Sequence, residues 1–241
     1  MQSGIYVSLS GQVARERRLA TIAHNVSNMN TPGFRASGIS FATELGKTGE
    51  VQTSFVSPGV DFISRRAGGL TRTDNALDIA VQGDGWFGVR SAEGVVYSRD
   101  GRMQLTETGA LETVGGSAIL DAGGAPIVLD PTAGAPQIAQ DGMITQGGRQ
   151  VGAIGLFAID PDATLTRAAN SAVTPDKPAT AILDFSSNGV AQGYQENSNV
   201  DPVLEIAKLM SLSREFEAIN NSIAQSESSL RDAIRTLAVS S

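Results

Sequence analysis

Hydrophobic positions recur along this chain with two different periods, and the change of period divides it. In the last forty residues every seventh position from Leu209 is apolar, giving the column Leu209, Phe216, Ile223, Leu230 and Leu237. The companion column three residues on, Leu212, Ile219, Ser226, Ala233 and Ser240, is large at its start and small or polar at its end. This a/d seam predicts a helix from Pro202 to about Val239. Asp201 before Pro202 marks its start, because an Asp side chain caps free amides and proline loses nothing at the first helical position. A helix of this length is about 55 Å long. Its interior carries Ser211, Ser213, Asn220, Asn221, Ser222, Ser226, Ser228 and Ser229, whose side chains compete for backbone hydrogen bonds. The helix therefore needs a mate to bury its seam.

The first thirty residues offer one. Leu19, Ile22, Val26 and Met29 fall at spacings of three, four and three, and Ile5, Leu9 and Val13 continue the stripe at spacings of four. Asn30, Thr31, Pro32 and Gly33 then end the helix, since the residue before a proline is pushed out of the α region. Residues 1–35 carry a net charge of +3 and residues 201–241 a net −2, which favours pairing of the two arms. The competing reading is that both amphipathic helices pack on the body of one globular domain.

The period changes between the arms. Residues 35–72 scatter Phe41, Leu45, Val51, Phe55, Val60 and Phe62 among glycines and Pro58, with no sustained helical spacing, and read as an extended connector. Residues 73–195 read as all-β. Short apolar runs at Leu77–Val81, Trp86–Val89, Gly94–Tyr97, Ile127–Leu129, Val151–Ile159 and Ala181–Phe185 are separated by turn-forming pairs such as Asp84-Gly85, Asp100-Gly101, Gly115-Gly116 and Asn188-Gly189. The expected fold is α+β: a helical arm over residues 1–34, the connector, a hairpin-rich β-sandwich or irregular barrel, and a second helical arm over residues 196–241.

Composition narrows the chemistry. Zero Cys among 241 residues removes disulfides, thiolate metal sites and thiol nucleophiles together. A net charge of −7 argues against nucleic-acid binding that rests on phosphate neutralisation. The first residues lack the charged start and continuous apolar stretch of a secretory signal, and no run of about twenty apolar residues could span a bilayer. The expectation is either a cytoplasmic protein or one exported without cleavage and without membrane insertion.

Gly83-Asp84-Gly85-Trp86-Phe87-Gly88 matches the dinucleotide fingerprint GxGxxG. That fingerprint works when a helix follows, so that its N-terminal amides meet the pyrophosphate. Here Val89-Arg90-Ser91-Ala92-Glu93-Gly94 leads into Val95-Val96-Tyr97, a second strand after a glycine turn. The segment reads as part of a hairpin whose Trp86 and Phe87 anchor opposite faces. His24 is the single histidine and lies in a helical stretch, so any triad or metal site would have to recruit that helix. A surface or interface histidine fits better. The expectation is no catalytic residue, cofactor or metal; the alternative class is a nucleotide-binding enzyme using the GxGxxG segment with His24, and a third is an oligomer closed by its coiled coil.

Three separated stretches then resemble one family. Ile22-Ala23-His24-Asn25-Val26-Ser27-Asn28-Met29-Asn30-Thr31-Pro32-Gly33-Phe34-Arg35 is similar to the N-terminal signature of flagellar axial proteins, I-A-N-N-L-A-N-x-N-T-x-G-F-K. In the centre, Leu77-Asp78-Ile79-Ala80-Val81-Gln82-Gly83-Asp84-Gly85-Trp86-Phe87 and Tyr97-Ser98-Arg99-Asp100-Gly101 resemble it too. Gly193-Tyr194-Gln195-Glu196-Asn197-Ser198-Asn199-Val200-Asp201-Pro202 and Arg214-Glu215-Phe216-Glu217-Ala218 resemble the family's C-terminal pattern. His24 stands where the family usually has Asn, and Ser27 where it has Ala. The length and the motif variants look most like the proximal-rod members. The resemblance implies a structural subunit of the bacterial flagellar basal-body rod, in the periplasm, exported by the flagellar type III apparatus and assembled with other rod subunits, proximal and distal, and with itself. It also implies arms that are disordered in the monomer and pair as a coiled coil on assembly. On that reading the assembly interface comprises Leu9, Leu19, Ile22, Asn25, Val26, Asn28, Met29, Asn30, Leu209, Leu212, Phe216, Ile219, Ile223, Leu230 and Leu237. The structural motifs are Pro32, Gly33, Phe34, Gly83, Gly85, Trp86, Phe87, Asn199 and Val200.

Overall fold

The computed structural model describes residues 2–40, 43–48, 51–56 and 59–239, with side chains placed over 11–40, 59–218, 221 and 225. The chain is mostly β with two helices, α1 (Gln2–Ser27) and α2 (Pro202–Val239). It divides into two units: Met1–Val26, Phe41–Pro58 and Asp201–Ser241 form the first, and Ser27–Ser40 and Gly59–Val200 the second. Among the described residues no helix is long and apolar enough to cross a membrane.

The second unit is built on the strand Trp86–Ser91, whose first four residues are all buried. A nearly continuous apolar run is what a strand covered on both faces requires. It pairs antiparallel with Gly94–Ser98 on one edge and, on the other, with Leu156–Ala158 near its start and Ala118–Ile119 near its end. The sheet extends through Val173–Pro175 to Leu165–Arg167 on one side and through Leu111–Thr113 to Met103–Leu105 on the other. Alternation along Trp86–Ser91 then separates two cores. Phe87 and Val89 enter the larger one with Ile79, Val81, Leu111, Ile144 and Leu156. Trp86 joins Ile159, Ala163, Leu165 and Val173 on the other face, so the pair does anchor opposite faces.

Smaller sheets complete this unit. Ile79–Gln82 pairs with Gly189–Gln192, Leu70–Arg72 with Tyr194–Glu196, and Ser37–Ser40 with Val60–Ile63. Gln137–Ile138, Met143–Gln146 and Arg149–Ala153 form a three-stranded meander. The expectation of a barrel needs correction, because among the described residues no sheet closes on itself. Three apolar runs also pair less than their composition suggests. Ile127–Leu129 forms no continuous strand: it makes the isolated bridge Ala110↔Val128 and separate backbone bonds, Leu111 N to Ile127 O, Ile127 N to Ile119 O and Leu129 N to Gly109 O. Val151–Ile159 breaks into Arg149–Ala153 and Leu156–Ala158, and between them Gly155 passes so close to the Asp121 carbonyl that a Cβ there would stand 2.5 Å from it. Of Ala181–Phe185 only Ala181 lies in a strand, Thr180–Ala181.

In the first unit, α2 has the start its sequence announces. Asp201 Oδ1 accepts from Leu204 N at 3.0 Å, which satisfies one of the amides a helix N-terminus leaves open, and the Asp201 carbonyl accepts the first intrahelical bond, from Glu205 N at 3.0 Å. Ala14, Ile22 and Asn25 are buried on α1, and Glu205 and Leu212 on α2. Asn25 Nδ2 donates to Glu205 Oε2 at 3.4 Å, and Arg15 Nε lies 3.9 Å from Glu215 Oε2. The partner numbers fall on one helix as they rise on the other, so α1 and α2 run antiparallel. Between them in sequence, Thr43–Thr48 pairs with Val51–Val56 as a two-stranded hairpin.

Candidate functional site

The three signature stretches meet in the second unit on one buried carboxylate. Glu196 Oε1 lies 2.8 Å from Arg35 Nη2 and accepts from Gly68 N at 2.9 Å, while Oε2 accepts from Arg99 Nη1 at 3.1 Å. All three side chains are 0–1% exposed. The remaining donors are mostly spent on backbone: Arg99 Nη2 donates to Gly83 O at 2.8 Å and Arg35 Nη1 to Arg66 O. Both guanidinium groups lie over the Trp86 ring, Arg35 at 5.5 Å and Arg99 at 5.2 Å from its centroid. The ring face supplies the negative potential that a second carboxylate would otherwise provide.

Electrostatically the cluster holds two cations against one anion in a dry place. Burial pulls the Arg35 guanidinium down to about 10, with Glu196 opposing the shift and Arg99 adding to it. Arg99 is lowered by burial as well, and Glu196 again opposes. Both stay charged at neutral pH. Arg35 Nε and Arg99 Nε are buried without a hydrogen-bond acceptor among the described residues, so Glu196 is the group on which the cluster's charge balance rests.

Backbone around the cluster is tied by the same residues. Gly33 N donates to Glu196 O at 2.7 Å. Gly33 has φ 67, and a Cβ there would stand 2.2 Å from Asp100 N, so only glycine lets the chain pass against the Arg99-Asp100 backbone. Asn199 uses its whole amide: Oδ1 accepts from Ala36 N at 2.7 Å, and Nδ2 donates to Ser64 Oγ at 3.1 Å and Arg66 O at 2.6 Å. Its backbone N donates to Phe34 O at 3.2 Å. Phe34 is buried under Arg167, whose guanidinium lies 4.3 Å from the ring centroid and donates to Arg35 O at 2.6 Å. Arg65 closes the rim by donating to the carbonyls of Ile159, Asp160 and Ala163. The residues that follow α1 and those that precede α2 are thereby held on one β body.

Of the motif residues singled out in the sequence, Gly33, Phe34, Gly83, Trp86 and Asn199 come together here; Val200 is buried beside them in sequence, and Pro32 is half-buried in the turn ahead. Gly85 and Phe87 lie in the adjoining turn and strand. Arg35, Arg99 and Glu196 stand inside the quoted motifs, but nothing local marks them as partners. Gly83 to Gly88 runs from a turn into the central strand, so the helix N-terminus that a dinucleotide site requires does not follow it.

The helix residues are distributed differently. Ile22, Asn25 and Leu212 are buried, Val26, Asn28, Met29 and Leu209 half-buried, and Leu19, Asn30 and Phe216 exposed, Phe216 by 40%. His24 is exposed on α1. The side chains of Leu9, Ile219, Ile223, Leu230 and Leu237 lie outside the described residues.

Comparison with known proteins follows the same three-part order. The family model described as flagella basal body rod protein matches residues 5–35, that of the flagellar hook protein FlgE/F/G D1 domain residues 80–146, and that of the flagellar basal body rod FlgEFG protein C-terminal residues 191–236. These matches define an axial protein of the flagellar rod and hook class. The chain is 45% identical over 237 residues to the flagellar basal-body rod protein FlgF of Mesorhizobium japonicum and 44% identical to that of Rhizobium meliloti, with 98% of each chain covered in both cases. It is 30% identical to the flagellar basal-body rod protein FlgG of Agrobacterium fabrum, over 88% of this chain and 90% of that one. The chain belongs to the FlgF family of flagellar basal-body rod proteins.

Proposed function

We propose that this protein is a structural subunit of the flagellar basal-body rod, which joins its neighbours through α1 and α2 and forms part of the axial tube that transmits torque around the export channel. The observation that carries the reading is the convergence of three family signatures on Glu196, in a chain that matches FlgF relatives over 98% of its length. Those signatures serve to hold the roots of two helices, which is a mechanical task. The family's assembly partners then apply: further copies, the proximal and distal rod proteins, and, before assembly, the flagellar type III export apparatus. The periplasm is the place of assembly, reached without a cleaved signal. On this reading the four-part division into arms, connector and β body is functional, with the β body as spacer and the arms as joints.

The test is fractionation of cells that carry a tagged chain on its central domain. The tag is expected in purified basal bodies, at full length, and deletion of the gene is expected to abolish motility. A chain that stays in the soluble fraction of flagellated cells would overturn the reading.

A further inference from the structure

We infer that the outward face of α2 at its first turns docks on the outward face of α1 of a second copy, so that copies join head to tail; this rests on the assembly reading above and specifies its contact. Val203, Ile206 and Met210 follow at spacings of three and four and are 79%, 41% and 54% exposed. They lie about a third of a turn round the helix from Glu205, Leu209 and Leu212, the side that holds the contacts with α1. A surface helix normally buries one apolar stripe and presents polar residues elsewhere. This helix carries a second apolar stripe that the described residues leave largely open.

The complementary surface is on α1 of the same sequence. Glu16, Ala20 and Ala23 are exposed, on the side opposite the buried Ala14, Ile22 and Asn25. Within one chain the helices are antiparallel, with Asn25 level with Glu205 and Arg15 level with Glu215. The same register carried to a second copy sets Ile206 near Ala23, Met210 over Ala20, and exposed Arg214 beside Glu16. Large side chains then meet small ones, Met adapts to the remaining gap, and opposite charges close the end of the stripe. Neither face is self-complementary: one is bulky and ends in a cation, the other is small and carries an anion. Such pairing is heterologous and leaves a free face at each end for the next copy.

Because the chain has no cysteine, engineered thiols report the contact without background. Full-length chains carrying Ala20→Cys and Met210→Cys, with different tags, are produced together in one cell, and the isolated basal bodies are oxidised. The expected product is the mixed disulfide dimer, in clear excess over both same-tag dimers. Same-tag dimers in equal or greater amount would mean a symmetric contact and overturn the proposal; so would bonding of either thiol to a different protein, or no bond while both variants are present in basal bodies. Absence of the wild-type chain from basal bodies would instead overturn the assembly reading itself. Arg214→Glu provides a second readout, with incorporation falling about two- to fivefold, the scale of an exposed ion pair. Adding Glu16→Arg should restore it, and a double variant no better than the single one would contradict the pairing.

Discussion

The two units of this chain solve the same problem in opposite ways. In the β unit the hydrophobic positions face one another across the central strand, and its buried charges are balanced on Glu196 and Trp86. In the helical unit the pairing of α1 with α2 satisfies Asn25, Glu205 and Leu212 yet leaves Val203, Ile206, Met210 and Phe216 at the surface. The β unit closes two cores, and the large apolar side chains it exposes, Phe62, Val128 and Leu183 among them, are scattered over separate elements. In the helical unit, among the described residues, exposed ones fall in a row on one helix, Val203, Ile206 and Met210, which is the property of a joint.

The comparison breaks most visibly at Glu196. Replacing Glu196 with Leu leaves two guanidinium groups buried without their anion, and the β unit should lose about 3–5 kcal/mol, read as a fall in thermal midpoint. The triple variant Arg35→Met, Glu196→Leu and Arg99→Met, which removes the charges together, should recover most of that loss. A triple variant as unstable as the single one would mean that geometry, not charge balance, is what Glu196 supplies.

Trp86→Ala comes next. It empties one of the two cores and uncovers both cations, and should cost about 3–4 kcal/mol by chemical denaturation. Nucleotides added to the wild-type chain should leave its thermal midpoint unmoved; a rise with NAD or ATP would show that the glycine-rich turn does bind them.

A smaller effect is expected at Asp201. Asp201→Ala removes one cap from α2 and should lower helix content and cost about 1 kcal/mol. Asp201→Asn should be nearly neutral, since Asn caps as well. Equal losses from both would point to the charge rather than the cap.

Much of this arrangement could be read in the sequence where the signal is local. Asp201-Pro202 announces the start of α2, and glycine-bearing turns delimit Trp86–Ser91 and Gly94–Ser98. The Trp86-Phe87 pair splits between two cores because strand side chains alternate. Non-local choices left no such trace. Ile79–Gln82 pairs with Gly189–Gln192 rather than with the strand that follows it, and Arg99 finds Glu196 across 97 residues. Apolar content alone also overstated strand length, since Ile127 and Leu129 enter the core without a continuous ladder. On α2 the heptad columns treat Phe216 and Leu212 alike, while only Leu212 is buried. The heptad pattern marks which positions are apolar; it does not say whether the same chain or the next one covers them.

That last distinction is measurable. Phe216 is 40% exposed on α2, so Phe216→Asp should change the stability of the soluble, full-length protein by less than about 1 kcal/mol, as surface substitutions do. If Phe216 packs against a neighbouring subunit, as proposed for the helical unit, the same change places a charge in that apolar contact. The decisive measurement is therefore paired: thermal unfolding of the purified variant, and its incorporation into basal bodies with motility as readout. The account predicts an unchanged melting curve with loss of incorporation and of motility. A variant that unfolds in isolation, or one that assembles and swims normally, would contradict the claim that the helical unit is completed by its neighbours.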